Sequence, residues 1–477
     1  MMPRFFHVLF AHKKMIIYLC SSETWVSELV VSLFNLQIMR FFDRDKELEK
    51  LRNIRELSRQ VAQFTVLTGR RRIGKTSLVL NGYSDEPLLY FFISRKVESE
   101  LCADFAIEIE EKLGIPQLSR PERFSEVFEY LMKIASTRHF TLVIDEFQEF
   151  YRVNKSVFSE MQKIWDLYKS NARINLLVCG SVNSLMNKIF RNKKEPLYNR
   201  HTQLITVRPF APSVLKAIMT EYAPHHNNED LLALYLYTGG VAKYVELLID
   251  NSNITSTAML DTIVTQDSPF IEEGRSMLIE EFGRDYTVYF SILSLIAQGH
   301  NTRGDLEDIL KKEIGGYLTR LEDDYGLIHK SQPLFEKSPR KNVHYSIYDN
   351  FLRFWFRFIF KYNYMIEIGA MSKLRTIISR DYDTYSGFIL EEYFRHHLME
   401  TEQYTRIGEW HDRRGENQID IIAANEITKV VEFIEVKRQR RNLDMSVLRS
   451  KADAFLKATK KFNDFDITYR GLTLEDM

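Results

Sequence analysis

The chain has 477 residues, enough for about three domains, and 45% of them are hydrophobic, so sizeable cores can form. Its 65 basic and 65 acidic residues cancel, which excludes a polycation and restricts any nucleic-acid contact to local patches. The three cysteines, Cys20, Cys102 and Cys179, have no metal-binding spacing. They indicate free thiols in a reducing, cytoplasmic compartment.

The first 38 residues are apolar but are interrupted by charged and polar residues. No run in them is long enough to span a membrane, so we expect no membrane association. A secretory signal is an alternative, although a convincing small-residue cleavage site is missing. The segment from Met39 onward reads as the natural start of a domain. We therefore expect residues 1–38 to be a non-native or disordered extension.

From Met39 onward, strand and helix patterns alternate as far as residue 210, after a first helix at 45–57. The predicted strands are 63–68, 87–93, 140–145, 173–179 and 203–207. The predicted helices between them are 75–82, 98–113, 122–136, 155–170 and 182–190. This alternation predicts an α/β fold with a parallel sheet and helical crossovers. Residues 211–285 read as a wholly helical segment.

The stretch between the first predicted strand and the helix at 75–82 fits G-x-x-x-x-G-K-[ST], a phosphate-binding P-loop. Its glycines let backbone N–H groups turn toward a phosphate chain, and the helix N-terminus adds positive charge. Lys75 would reach the β- and γ-phosphates of ATP, and the Thr76 hydroxyl would hold Mg²⁺. The predicted nucleotide-binding residues are Gly69, Arg70, Arg71, Arg72, Ile73, Gly74, Lys75, Thr76 and Ser77. The arginine side chains either add to the positive field or lie on a solvated face.

The strand at 140–145 ends in two carboxylates, Asp145 and Glu146, where ligands bind in parallel sheets. Asp145 would bind Mg²⁺ beside Thr76, and Glu146 would polarise the attacking water. The strand near 87–93, inserted between the P-loop and this pair, points to the AAA+ branch of NTPases. Ser181 would contact the γ-phosphate, and Arg200 would reach phosphate in cis or from a neighbouring subunit of a homo-oligomer.

Residues 286–360 read as a winged helix, with Thr302 capping its second helix and strands near 327–330 and 344–347. The third helix carries Glu322, Asp323 and Asp324, which phosphates would repel. The wing carries Lys337, Arg340 and Lys341, which are basic. This distribution favours a regulatory or packing role over reading of a DNA groove.

A second chemical signal lies near the C-terminus. Asp420 sits in an apolar strand, and Glu435 and Lys437 end another, on the same strand face. Two adjoining strands can thus present two carboxylates and one ammonium at one place. Carboxylate oxygens suit Mg²⁺, and the lysine can orient a water for phosphodiester hydrolysis. The following stretch, residues 437–441, supplies a basic patch or a solvated helix start.

Six segments, FFDRDKEL, GRRRIGKTSL, LVIDEFQEF, CGS, PLYNR and YTGGVAKYVELL, resemble the archaeal-type ATPase family, STAND-like relatives of AAA+ proteins. The resemblance implies that Arg44 lies near the nucleotide base. It also implies a C-terminal PD-(D/E)xK nuclease-like domain, in which Glu391 faces the metal. This sequence departs from the family at Asn199 and Gln418, where Gly and Glu are usual, and it lacks the usual proline after Gly239-Gly240.

The predicted architecture is therefore multidomain α/β, in six segments. These are an extension (1–38), a P-loop ATPase core (39–210), a helical lid (211–285), a winged helix (286–360), a connector (361–382) and a nuclease-like domain (383–477). The predicted function is a Mg²⁺-dependent ATPase coupled to a nuclease-like domain that acts on DNA or RNA. The alternatives are a nucleotide-dependent switch that binds a protein partner, and a DNA-binding regulator that works through the wing.

Overall fold

A computed structural model describes residues 10–11, 14–15, 39–84, 88–115, 120–250, 254–283, 286–335, 343–412 and 417–477. The chain divides into two compact units, residues 1–38 and 39–477. In the first unit, Phe10–Ala11 and Lys14–Met15 pair as two short antiparallel strands. The rest of that extension, including Cys20, lies outside the described residues. The prediction that residues 1–38 are a non-native or disordered extension concerns mainly those residues.

A five-stranded parallel sheet forms the first part of the second unit, with the order β2-β3-β4-β1-β5. Its strands are β1 (Gln63–Thr68), β2 (Leu88–Phe92), β3 (Phe140–Asp145), β4 (Ile174–Cys179) and β5 (Gln203–Thr206). The parallel pairing of all five strands confirms the predicted parallel sheet. Its central strands β1, β3 and β4 are buried along their whole length, which explains why their sequences are continuously apolar. The inserted strand β2 lies at the sheet edge, and β4 separates the P-loop strand from the Asp145 strand.

Helices connect these strands and cover both faces of the sheet. They are α1 (Asp45–Ser58), α2 (Lys75–Gly82), α3 (Glu98–Leu113), α4 (Phe124–Ala135), α5 (Phe150–Val153), α6 (Ser156–Tyr168) and α7 (Asn183–Arg191). A 3₁₀ turn, Phe147–Glu149, precedes α5. The predicted helices of this region agree with the structure within two residues at either end. Among the residues from 39 onward that are described, no helix is long and apolar enough to cross a membrane.

The next segment is helical, as the sequence predicted. It contains α8 (Pro212–Tyr222), α9 (Asn228–Thr238), α10 (Ala242–Ile249), α11 (Ser256–Ile263) and α12 (Pro269–Phe282). Helices α13 (Tyr286–Ala297), α14 (Arg303–Leu310) and α15 (Gly315–Thr319) follow, and a π-helical turn (Arg320–Asp324) extends α15. Two antiparallel strands, β6 (Ile328–Ser331) and β7 (His344–Ile347), complete the arrangement. Thr302 caps α14 as predicted, because its hydroxyl accepts from the Asp305 amide at 3.2 Å.

A second sheet of mixed direction forms the C-terminal part. Helix α16 (Asn350–Phe354) continues as a π-helical turn (Trp355–Phe360), and α17 (Asn363–Glu367) and α18 (Met371–Glu400) follow. The sheet contains β8 (Arg406–His411), β9 (Gln418–Asn425), β10 (Val430–Lys437) and β11 (Asp466–Thr473), with α19 (Met445–Thr459) before β11. Strands β8, β9 and β10 are antiparallel, whereas β11 runs parallel to β10. Helix α18 runs without interruption across the predicted boundary at 382/383, which stays a prediction.

The hydrophobic cores explain why these segments form one unit. One core runs from Met39 to Met477 and joins one face of the parallel sheet, the helices α8–α18 and one face of the C-terminal sheet. A second core lies on the other face of the parallel sheet, and a third lies between the C-terminal sheet and α19. The predicted lid, middle and C-terminal segments therefore share apolar contacts.

Candidate functional site

The loop between β1 and α2 has the glycine-dependent shape that phosphate binding needs. Gly69 has φ +150°, and a Cβ built there would lie 2.7 Å from the Val207 carbonyl oxygen. Gly74 has φ +94°, which side-chain-bearing residues rarely adopt. The buried Lys75 ammonium donates to the carbonyls of Gly69 at 2.7 Å and Arg70 at 3.0 Å. Burial lowers the pKa of Lys75, and the charges of Glu146 and Asp145 oppose that shift.

The acidic end of β3 meets this loop. Thr76 Oγ1 donates to Asp145 Oδ2 at 3.3 Å, so the two residues predicted to share Mg²⁺ are in contact. The Tyr90 hydroxyl, from β2, donates to the same carboxylate oxygen. Burial and the charge of Asp145 raise the pKa of Tyr90, which therefore stays a proton donor. The two oxygen side chains, one of them a buried carboxylate, form a donor set that suits Mg²⁺.

Glu146 follows Asp145 in a left-handed backbone conformation with φ 54°. This unusual conformation turns its carboxylate toward Ser181, whose Oγ donates to Glu146 Oε2 at 2.7 Å. Gln148 also donates to Glu146 Oε2 through its Nε2. The predicted general base and the predicted γ-phosphate contact are therefore direct neighbours. They line a cleft of about 380 Å³ together with Arg71.

The three P-loop arginines form ion pairs with acidic residues far along the chain. Arg72 contacts Glu273 and Arg71 contacts Glu280, each at 2.8 Å, and Arg70 contacts Asp349. Whether their side chains add to the positive field at the phosphates or only form a solvated face stays a prediction. Their backbones remain part of the loop, whereas their guanidinium groups attach the loop to α12 and to the start of α16.

Arg44 and Arg200 lie at different places relative to the loop. The buried Arg44 donates to the Ile73 carbonyl at 3.4 Å and stacks over the Phe210 ring, so it adjoins the loop, and its place near the nucleotide base stays a prediction. Arg200 pairs with Asp166 at 3.0 Å, just before β5. The neighbouring Thr202 hydrogen-bonds to Phe64 at the start of β1. Arg200 therefore lies at the N-terminal ends of the strands, whereas the P-loop lies at their C-terminal ends. Arg200 therefore cannot reach phosphate in cis, and its action from a neighbouring subunit stays a prediction.

The structure brings together the three predicted C-terminal residues. Lys437 Nζ lies 2.9 Å from Glu435 Oε1 and 3.3 Å from Asp420 Oδ2, and both carboxylates are almost completely buried. Lys451, on α19, contacts Glu435 at 3.3 Å. Asp420 lies at a β-bulge, because the register of β8 against β9 shifts between Gly408 and Trp410.

Asp420 Oδ2 also accepts a hydrogen bond from the Val436 amide, on β10, at 2.9 Å. Burial and the charge of Glu435 raise the pKa of Asp420. Burial alone would lower the pKa of Lys437, but the two carboxylates raise it. Burial and the charge of Asp420 raise the pKa of Glu391, on α18, to about 8. These shifts show that the four groups share one poorly hydrated site.

The expected metal-ligand set of Asp420, Glu435 and Glu391 is not assembled. Within the described ranges, no group of three or more His, Cys, Asp or Glu side chains could hold a metal ion. The Lys437 ammonium lies against two of these carboxylates, Asp420 and Glu435. The positive charge of the expected basic patch at residues 437–441 is also largely neutralised by acidic side chains. Arg438 pairs with Glu229 at 2.6 Å, and Arg440 pairs with acids at the C-terminus.

Sequence reasoning missed several residues of these sites. Tyr90 and Gln148 contact the two carboxylates of the nucleotide site, and Lys451 contacts Glu435. Glu281 accepts from the Asn183 amide and the Ser184 hydroxyl, both at 2.8 Å, and so holds the start of α7. Of these residues, only Gln148 could have been predicted from the sequence, because it lies two residues after Glu146 in the same acidic motif.

Comparison with known proteins supports the reading of the first half of the chain. Residues 41–248 match a family model described as an ATPase domain predominantly from Archaea. Over these residues, which are less than half of the chain, the protein is similar to that family. Residues 355–450 match a second model, described as archaeal and bacterial proteins of unknown function. The match to the archaeal-type ATPase domain contains the P-loop, Asp145, Glu146 and Ser181.

Individual relatives are similar to large parts of this chain. An uncharacterized protein of Methanocaldococcus jannaschii is 29% identical over 407 residues, which are 83% of this chain and 87% of that protein. An uncharacterized ATP-binding protein of the same organism is 23% identical over 259 residues, which are 45% of this chain and 71% of that protein. The solved structure of a Walker-type ATPase of Pyrococcus abyssi matches with a TM-score of 0.51 at 19% identity. The match covers 66% of this chain and 96% of that chain. That structural likeness shows the shared fold.

Proposed function

We propose that this protein is a Mg²⁺-dependent ATPase whose nucleotide state controls a nuclease-like C-terminal domain that acts on nucleic acid. The observation that carries the ATPase part is the hydrogen bond between Thr76 and Asp145, with the Glu146–Ser181 pair beside it. It brings phosphate-binding, metal-binding and water-activating groups to one end of the sheet. The match to an ATPase domain and an ATP-binding relative support the same conclusion.

Each residue then has a defined task. The P-loop amides and Lys75 bind the phosphates once the ammonium exchanges its loop carbonyls for phosphate oxygens. Thr76 and Asp145 would hold Mg²⁺, which supplies charge neutralisation on the phosphates when it is bound. Tyr90 keeps Asp145 oriented. Glu146 accepts a proton from the attacking water, and Ser181 leaves Glu146 to contact the γ-phosphate.

The nuclease-like part is supported by architecture and by side-chain placement. A helix, three antiparallel strands, a second helix and a parallel fourth strand follow one another in α18–β11. Asp420, Glu435 and Lys437 meet at a bulge within this sheet. If Lys437 moves away, Asp420 and Glu435 would hold a divalent ion that activates water on a phosphodiester. Gln418 lies at the start of β9, where the resemblance leads us to expect a Glu.

Other observations favour the alternative, a nucleotide-dependent switch that binds a protein partner without cleavage. Asp420 and Glu435 are only 5% and 7% exposed, and two arginines of the basic patch are already paired. We assign residues 286–360, in which helices α13, α14 and α15 and a hairpin precede α16, to a winged helix that packs against its neighbours. The cations of its wing, Lys337, Arg340 and Lys341, lie outside the described residues. The buried free thiols Cys102 and Cys179 support a reducing, cytoplasmic location.

Phosphate release by the full chain tests the ATPase. Lys75→Ala should lose nucleotide binding, because the lysine is the main cation on the phosphates. Glu146→Gln should bind ATP with an unchanged Kd and release phosphate at least about 100-fold more slowly. Gly304→Ala is the control, since its Cβ would occupy open space. Normal hydrolysis by Glu146→Gln would refute the role of that glutamate.

Nicking of plasmid DNA and cleavage of RNA, with and without ATP and Mg²⁺, separate the two C-terminal functions. Cleavage that disappears in Asp420→Ala and Lys437→Ala, with ATP binding intact, supports the nuclease. Asp466→Ala, at the exposed start of β11, is the control. No cleavage of any substrate by the wild-type chain would favour the protein-binding switch.

A further inference from the structure

The P-loop is held from outside its own domain, which gives it a direct route to the rest of the protein. The guanidinium of Arg70 contacts Asp349, which lies 279 positions further along the chain. It also lies over the rings of Tyr244 and Phe351, with its carbon 5.4 and 5.6 Å from their centroids. The Arg70 side chain is 17% exposed and that of Asp349 is 10% exposed. This pair is therefore poorly hydrated, so a change in one partner strongly affects the other.

Asp349 does more than neutralise Arg70. Its Oδ1 accepts from the Leu352 amide at 2.9 Å and so caps α16. One turn further, Arg353 donates to both carboxylate oxygens of Glu392 on α18, at 2.8 and 2.7 Å. Arg353 also donates to the Ile347 carbonyl at 2.6 Å, which fixes α16 against β7. A buried two-point ion pair of this kind transmits position between helices, because neither partner can move alone without losing it.

Helix α18 connects this ion pair to the C-terminal site. Glu392 is adjacent to Glu391, whose pKa is raised by burial and by the charge of Asp420. One turn further along α18, Arg395 donates to the Asp420 carbonyl at 3.3 Å and pairs with Glu409 at 3.0 Å. The contacts thus lead from the P-loop through α16 and α18 to the Asp420 backbone and the Glu409 carboxylate of the second sheet.

We propose that the Arg70–Asp349 pair is a nucleotide-sensitive latch that couples the P-loop to α18 and the Asp420 site. This inference rests on the proposed ATPase function and names its regulation. A bound triphosphate brings several negative charges to the loop that carries Arg70, and phosphate oxygens compete with Asp349 for its guanidinium. Release of Asp349 loosens the start of α16. The Arg353–Glu392 pair then transmits that change to α18.

The deciding variant is Asp349→Asn. Asparagine caps a helix as well as aspartate does, so α16 keeps its cap while the charge that holds Arg70 is removed. Asp349→Ser, a second good cap, makes the same test if Asp349→Asn does not fold. Arg380→Gln is the matched control, because the exposed Arg380 lies on α18 and pairs only with the adjacent Asp381 among the residues described.

The measurement is hydrogen–deuterium exchange of the full chain, in peptides covering 386–400 and 418–425, with and without a non-hydrolysable ATP analogue and Mg²⁺. In the wild type and in Arg380→Gln, the analogue should raise exchange in these peptides at least twofold. In Asp349→Asn, exchange should be raised without the analogue and should change no further when the analogue binds. The Kd of the analogue, measured in parallel by calorimetry, shows that the site is occupied.

Each other outcome overturns a defined part of the reasoning. If the wild type binds the analogue and these peptides do not respond, the latch is wrong while the ATPase proposal stands. If Asp349→Asn starts at wild-type exchange and responds fully, Asp349 does not carry the coupling and the latch is wrong. If the wild type does not bind the analogue at all, the proposed function fails, and the latch fails with it.

Discussion

One glutamate, Glu391, should contribute strongly to the pH dependence of stability at the C-terminal site. Glu391 has a pKa of about 8 in the folded protein, because burial and the charge of Asp420 disfavour its ionised form. In the unfolded chain an ordinary glutamate titrates near 4.3. Between these two values the folded state holds a proton that the unfolded state has released. Folding stability contributed by this group is therefore fully present below about pH 4 and is lost as pH rises toward 8.

The size of the effect follows from the same two values. Each unit of pKa difference corresponds to ~1.4 kcal/mol, so the loss between pH 5 and pH 8 is about 4 kcal/mol. Glu391→Gln replaces the protonated acid with a neutral group of the same shape. The variant should be more stable than the wild type by only about 1 kcal/mol at pH 5 and by several kcal/mol at pH 8.

Thermal unfolding from pH 5 to pH 8, in buffer containing a metal chelator, measures this difference. The Tm advantage of Glu391→Gln should grow steadily with pH and level off above about pH 8. Glu402→Gln is the control, since Glu402 is exposed just beyond the end of the same helix, and its curve should parallel the wild type. A Tm difference between Glu391→Gln and the wild type that does not vary with pH would refute the reasoning.

Three further predictions concern contacts seen in the structure. Gly69→Ala should weaken nucleotide binding at least tenfold in calorimetry, because its Cβ would lie 2.7 Å from a backbone oxygen, whereas Gly304→Ala should bind normally. Ser181→Ala should slow phosphate release about 10- to 100-fold, since a hydrogen bond to a charged group contributes ~1.5–3 kcal/mol, and an unchanged rate would contradict the role of Ser181. Glu392→Gln should cost about 3–5 kcal/mol of stability in thermal unfolding by leaving Arg353 buried and unpaired. The exposed pair at Arg380 should matter little, so equal Tm losses in Glu392→Gln and Arg380→Gln would contradict this.

The sequence by itself determined the elements that local chemistry dictates. The buried strands β1, β3 and β4 are continuous apolar runs, and the glycine spacing of the P-loop requires backbone conformations that few other residues adopt. The contact between Thr76 and Asp145 was also predictable, because parallel strands place their carboxyl ends at the same edge of a sheet. The pairing of Asp420 with Lys437 followed from the alternation of side chains on adjoining strands.

Only the tertiary structure decided which charged groups meet across long distances in the chain. The pairing of Arg70 with Asp349, the place of Arg200 at the N-terminal ends of the strands and the neutralisation of Arg438 by Glu229 have no local pattern that encodes them. The bulge at Asp420 is similar, because register depends on how two strands pack. A charged side chain shows its type in the sequence, but its partner, its hydration and therefore its pKa are fixed by whatever the folded chain places beside it.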